Sequence, residues 1–282
     1  MIDLNELDGL NSMEEIQKKL AELVEAHNKS GRKDFEGLSP EKMHALFENF
    51  PGEGSPLVMN RLSEKELENS PLLMQIRFLI DKMKGGKELK LTKTGALSTK
   101  LVKEVYGLGY LKDEWIEKGI SKLYREAEVV EVSITRILLQ ISSLVKKRNG
   151  KLSLTKKGEK HADDGNFILK EILMVLIRKF NWAYFDGYES EMIGKVNAEF
   201  SLYLLKKYGD KKRFAKFYAE KYFKAFPSLM GERGESKRCY ELRTFDRYFY
   251  YMGFVDKEEK DFLDPTELKK TAFFDKLFSI KQ

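Results

Sequence analysis

At 282 residues, with nineteen Phe, thirteen Tyr and only six Pro, the chain is long enough for two domains and too aromatic to be disordered. Its single cysteine, Cys239, excludes an intramolecular disulfide and a thiolate-rich zinc site, and points to a reducing, cytoplasmic setting. The net charge of +6 is spread unevenly, and a partner feels the local field rather than the total. Residues 1–70 hold fifteen acids and eight bases. Residues 133–160 hold Arg136, Lys146, Lys147, Arg148, Lys151, Lys156, Lys157 and Lys160 against Glu159 alone.

The first residues, Met1 to Glu6, carry early acids and no apolar run, so no signal peptide is expected. Met13, Ile16, Leu20, Leu23 and Val24 fall at helical spacing and predict an amphipathic helix over 13–27. Ser39-Pro40 is a helix start, with Ser39 as N-cap, and predicts a short helix to about Asn49. Pro51-Gly52-Glu53-Gly54-Ser55-Pro56 then closes an acidic N-terminal helical region, 1–60.

Ser70-Pro71 opens a helix with Leu72, Ile76, Leu79, Ile80 and Met83 on one face, ended by Gly85-Gly86. The alternation in Leu89-Lys90-Leu91-Thr92 predicts a half-buried strand, and Ser98 caps a helix over 99–106. An apolar helix follows with Ile134, Ile137, Leu138, Ile141, Leu144 and Val145, and then a strand Leu152-Ser153-Leu154-Thr155. The wording of 87–95 recurs at 150–158; an internal repeat and one domain with two similar strands both fit. From Asn166 the pattern is helical almost to residue 226, with breaks at Asp186-Gly187 and Gly209-Asp210. The stretch Phe167–Phe180 is interrupted by Lys170, Glu171, Arg178 and Lys179 and falls short of the ~18 apolar residues of a membrane span. The end reads as a helix over 242–252, a strand Gly253-Phe254-Val255, a charged turn from Asp256 to Asp261, a strand Phe262-Leu263 and a helix from Thr266.

This succession resembles winged-helix proteins, in which a helix, a short strand, two more helices and a two-stranded wing make one unit. The run from Leu144-Val145 to Leu152-Ser153-Leu154-Thr155-Lys156-Lys157-Gly158 is similar to the end of such a domain. The fold class expected is mainly α with short β-hairpins and strands (α+β). Two tandem winged-helix-like units, 70–162 and 166–282, would follow the N-terminal helical region. Two departures stand out: Asn149-Gly150 leaves no room for a first wing strand, and Gly107 to Val132 is a long insertion. More narrowly, 37–43 together with 89–97 resembles a bacterial family without assigned function. Some of its members carry cysteine-rich SEC-C metal-binding tails, whose cysteines are lacking in these residues; the resemblance implies no activity.

His27, His44 and His161 show no metal-ligand spacing. His161 before Asp163-Asp164 reads as a solvated helix end, and Cys239 as a buried or half-buried thiol. Neither Gly85-Gly86-Lys87 nor Gly231-Glu232-Arg233-Gly234 fits a phosphate-loop spacing. No catalytic residue, metal or cofactor is therefore expected. The window 206–224 mixes eight bases with Tyr208, Phe214, Phe217, Tyr218, Tyr222 and Phe223, whose three- and four-residue spacing reads first as core. Lys146, Lys147, Arg148, Lys151, Lys156 and Lys157 flank the helix and strand that would meet a phosphate backbone, and are the candidate nucleic-acid-binding residues. Two partner classes follow for a non-enzymatic binding protein: nucleic acid at those six residues, or a protein partner, a second copy of the chain included. In the second case the acidic N-terminal helix engages the partner or the chain's own basic surface.

Overall fold

A computed structural model describes residue 6 and residues 12–231, 235–258 and 267–281. Helix α1 (Met13–Lys29) starts on a capping box: the Ser12 hydroxyl accepts from the Glu15 amide, and the Glu15 carboxylate from the Ser12 amide. None of its side chains is buried. Helix α2 (Pro40–Asn49) begins at the Ser39 cap with Pro40 in its first turn, and buries Met43 and Leu46. Strand β1 (Leu57–Met59) and the single turn α3 (Glu64–Leu67) lead into the first of two similarly ordered groups.

That group runs α4 (Pro71–Asp81), β2 (Leu89–Lys90), α5 (Thr99–Gly107), the one-turn α6 (Glu114–Glu117), α7 (Val130–Ile141), β3 (Val145–Arg148) and β4 (Lys151–Leu154). Its antiparallel sheet has the order β2-β4-β3. After α8 (Lys156–Lys160), helix α9 (Gly165–Arg178) packs on α4 and α7 through a face that includes Ile168, Leu169, Ile172 and Leu176. The second group repeats the succession with α10 (Ala198–Tyr208), β5 (Arg213–Phe214), α11 (Ala215–Ala225), α12 (Glu235–Glu241), β6 (Val255–Glu258) and β7 (Glu267–Lys270). Between α12 and β6 the helix passes through a π-helical stretch, Leu242–Phe249, into α13 (Tyr250–Met252). The sheet order is again first strand, last strand, middle strand: β5-β7-β6. Helix α2 packs on α10. The chain then closes with α14 (Ala272–Leu277) and β8 (Phe278–Ile280), which pairs antiparallel with β1, Leu57 opposite Ile280 and Met59 opposite Phe278. Residues just after the proline-rich stretch are thereby tied to the far end of the chain.

Mainly helical with short antiparallel sheets is thus the observed class, three local readings change, and one open choice is decided. Val145 is not the end of a helix: α7 stops at Ile141, and Val145–Arg148 is a strand paired with Lys151–Leu154. Asn149-Gly150, expected to leave no room for a first wing strand, is the two-residue turn of that hairpin. Both residues have positive φ, 49° and 69°, as the turn best matched to strand twist requires. Of the two readings of the repeated wording of 87–95 and 150–158, two similar strands of one sheet is the one observed, with Leu89 opposite Leu152. At the far end, Asp256 to Glu258 lie in β6, and Glu267–Lys270 is a strand, with α14 starting only after the Thr271 cap. The strand expected at Phe262-Leu263 lies outside the described residues.

Between α9 and α10 the chain has little regular structure, and it is held by an ion pair without access to water. Arg243 is 0 % exposed; its Nε donates to Asp186 Oδ2 at 2.8 Å and its Nη2 to Oδ1 at 2.7 Å. Its Nη1 donates to the carbonyls of Ser190 (2.6 Å) and Ile193 (2.9 Å), and Arg247 donates to the Phe185 carbonyl at 2.7 Å. Burial opposes ionisation of Asp186, but the guanidinium and the Tyr188 amide hold its carboxyl below the ordinary value. Gly194 is required here: a Cβ on it would come within 2.8 Å of Arg243 Cβ, and its φ is +80°.

Two stability measurements follow. Leu154 is buried and Ser153 only half-buried, so Leu154→Ala is expected to cost about 2–5 kcal/mol in chemical denaturation and Ser153→Ala under about 0.5 kcal/mol. Equal costs would show the strand register to be wrong. Arg243→Met leaves the buried Asp186 carboxylate with only the longer Arg247 contact, 3.5 Å, and should cost about 3–5 kcal/mol, much of it recovered when Asp186→Asn is added. A double variant no more stable than the single one would mean that the pair is not what holds this segment.

Candidate nucleic-acid interface

Strand alternation distributes the basic residues of the first sheet. Residues opposite each other in an antiparallel pair share a face, so Val145 and Lys147 lie on the side of Leu154, Leu152 and Leu89. That side is the buried one. On the other side Lys146 stands opposite Ser153, and Arg148 opposite Lys151, which in turn is opposite Lys90. Four cations from three strands, Lys90, Lys146, Arg148 and Lys151, therefore share one exposed face. With strands ~4.8 Å apart, the row Lys90–Lys151–Arg148 spans about 10 Å of backbone.

The six expected residues thus separate into three groups. Lys146, Arg148 and Lys151 come together on the outer face. Lys147 turns away; its Nζ lies over Gly95, within 2.9 Å of where a Cβ on that glycine would sit. Lys156 and Lys157 lie on α8. Lys156 is exposed in its first turn, beside the Thr155 cap, and takes no ion pair among the described residues. Lys157 is bound up within the chain: its Nζ donates to Ser143 Oγ at 2.6 Å and to Glu171 Oε2 at 2.9 Å, and sits 5.2 Å from the Phe167 ring centre. Burial raises the Glu171 carboxyl, but Ser143 and Lys157 together hold it below its ordinary value. Lys157 thereby ties α9 to the base of the hairpin. Lys151 meets Glu88 at 2.6 Å, but both side chains are about half exposed, and such surface pairs are worth only ~0–1 kcal/mol and yield to a competing phosphate.

Lys90 is not among the expected residues, because it joins them only through the pairing of β2 with β4. The signal was the alternation in Leu89-Lys90-Leu91, which sets Lys90 opposite to the buried leucine face. Helix α7, expected to share the surface, contributes no exposed residue. Glu131, Val132, Ser133, Ile134, Thr135, Leu138 and Leu139 are buried, and Arg136 donates to the buried Glu126 at 2.7 Å. It packs against α4, α5 and α9, and its remaining residues are half-buried.

The remaining candidate chemistry has local explanations. His161 stacks on Phe167 with ring centres 3.7 Å apart, and among the described residues no three His, Cys, Asp or Glu side chains converge on a metal position. Cys239 is buried, which pushes its thiol up to about 11, too high for a thiolate at neutral pH. Tyr218, Tyr222 and Phe223 of the 206–224 window are core, and Phe214 is the ring that emerges, 47 % exposed. No helix among the described residues is long and apolar enough to cross a membrane.

Residues 68–166 match the family described as the Y4jL N-terminal domain, an uncharacterised family of bacterial type. The match starts just before α4 and ends at the beginning of α9, so it takes in the whole first group of elements and the basic hairpin. No curated protein and no solved structure matches the chain.

The hairpin carries three of the four face cations, so its turn is the point at which to perturb that face. Replacing Asn149-Gly150 by Ala-Ala forces two alanines to positive φ. Urea denaturation should register a loss of about 1–3 kcal/mol, with amide exchange fastest in 145–154. Unchanged stability and exchange would rule out the turn.

Proposed function

We propose that the chain is a non-enzymatic binding protein whose first unit is a winged-helix domain contacting nucleic acid through the outer face of its sheet. The order helix, strand, helix, helix, strand, strand, with the last strand central, supports the winged-helix reading of both groups. The nucleic-acid reading rests on one observation: Lys90, Lys146, Arg148 and Lys151 project from a single face. In this reading the hairpin and its sheet make the contact, and the third helix, buried as it is, does not. That face carries no aromatic ring to stack a base, so binding is to the phosphate backbone, without sequence preference, and duplex suits it better than single strands.

A second reading, a protein-interaction module, is favoured by a separate feature. The connection between α5 and α7 leaves Tyr110, Trp115, Ile120 and Tyr124 all exposed, and large exposed apolar side chains of this kind mark partner surfaces.

Fluorescence anisotropy with a labelled duplex tests the first reading. Affinity should fall with salt by a log–log slope of roughly −0.9 for each phosphate neutralised. The triple variant Lys90→Glu, Lys146→Glu, Lys151→Glu should bind more than about tenfold more weakly with a shallower slope, while Lys157→Ala, already engaged with Glu171, should bind as the native chain does. Absence of binding to duplex or single-stranded DNA or RNA at low salt would sink this reading. A stoichiometric protein partner lost on Trp115→Ala would support the second.

A further inference from the structure

Among the described residues, the acidic N-terminal region meets a basic surface of its own chain on the second group rather than on the first sheet. The tight loop between α1 and α2 brings Glu36 onto α10 and α11 of the second group. One Glu36 carboxylate oxygen accepts from the Tyr208 hydroxyl, and the other lies 2.9 Å from Lys221 Nζ. Its main-chain carbonyl accepts from Lys207 Nζ and, at 3.4 Å, from the Tyr203 hydroxyl. Beneath it the cations and rings interleave. Lys221 lies 4.7 Å from the Tyr208 ring centre and 4.8 Å from that of Phe217, and Arg213 lies 4.3 Å from Phe217. At the rim, Asp34 and Lys224 approach to 3.4 Å.

Two features set this contact apart from an ordinary surface pair. Glu36 is held at a φ of +56°, a left-handed conformation unusual for a residue with a long side chain, by bonds from the Gly37 amide to the Arg32 carbonyl (2.8 Å) and from the Arg32 amide to the Leu38 carbonyl (3.0 Å). The receiving cradle also holds more positive charge than it neutralises: Lys207 and Lys221 face one carboxylate, whose side chain is only 10 % exposed. A phosphate group, with more charge and more acceptor oxygens, satisfies such a donor set more fully than a carboxylate.

We propose that Lys207, Tyr208 and Lys221 form a phosphate-binding cradle on the second unit, and that Glu36 occupies it as a built-in competitor. Helix α1 buries no side chain, whereas Phe35 and Leu38 on either side of Glu36 pack against the core, so exchange for phosphate asks only the Glu36 side chain to move. The cradle is distinct from the sheet face of Lys90, Lys146, Arg148 and Lys151, so either site can fail without the other.

Glu36→Gly removes the carboxylate and accepts the positive φ, so the fold is kept. Thermal unfolding of the full chain is compared in about 10 mM inorganic phosphate and in chloride of matched ionic strength. Phosphate should raise the Tm of Glu36→Gly by about 3 °C or more, leave the native chain nearly unmoved, and lose its effect when Lys221→Gln is added. A short duplex is then added to Glu36→Gly carrying Lys90→Glu, Lys146→Glu and Lys151→Glu, so that the sheet face is silent. Stabilisation by both ligands identifies a polymer phosphate as the natural occupant, and stabilisation by phosphate alone a free one. An equal response of native and Glu36→Gly chains, no response in either, or a response that survives Lys221→Gln would overturn the cradle.

Discussion

The arrangement of this protein depends on a guanidinium sealed from water. Arg243 spends its donors on Asp186 and on the carbonyls of Ser190 and Ile193, and Arg247, one helical step further, takes the Phe185 carbonyl. The segment they grip links α9 to α10, and it has few backbone partners of its own. Buried carbonyls without donors are costly, and a buried charge without a partner more so. Side chains from a single helix supply both, so the geometry of that helix decides where the link runs. The π-helical stretch, with its wider turn, is where Arg243 and Arg247 both reach Asp186.

On either side of this link stand two groups with the same succession of elements and the same strand order, and their exposed sheet faces differ in charge. The first carries Lys90, Lys146, Arg148 and Lys151. The corresponding face of the second carries Phe214, Asp256, Glu258, Glu267 and Lys269, and Glu258 is paired with Lys212 at 2.5 Å. Topology is shared and chemistry is not, which is why function has to be argued from each surface separately. The basic charge of the second group sits instead on α10 and α11, where the acidic loop around Glu36 meets it.

Local signals located many elements well. Ser39-Pro40, Ser70-Pro71 and Ser98 marked three helix starts because caps and first-turn prolines act within a few residues. The hairpin was misread for an equally local reason. Leu144-Val145 continues the apolar run of α7, so the helical period masked a change of conformation at Ser142, although Asn149-Gly150 pointed the other way. Glu267-Leu268-Lys269-Lys270 is too short for its period to separate strand from helix, and pairing with β6 and β5 decides it. Asp186 and Arg243 are fifty-seven residues apart, and nothing near either of them announces the other.

The sequence by itself determined the mainly helical class, the helix starts and where positive charge is concentrated, because these follow from local backbone preferences and from the composition of each stretch. Only the tertiary structure decided which of those charges act together. Strand side chains alternate, so pairing register sends Lys146 outward and Lys147 back over Gly95, and sets Lys90 in the same row as Lys151 and Arg148. Packing also withdrew Lys157 to Glu171 and brought Glu36 to Lys221, across 185 residues of chain. A charge acts through the distances to its neighbours, and those distances exist only once the chain has folded.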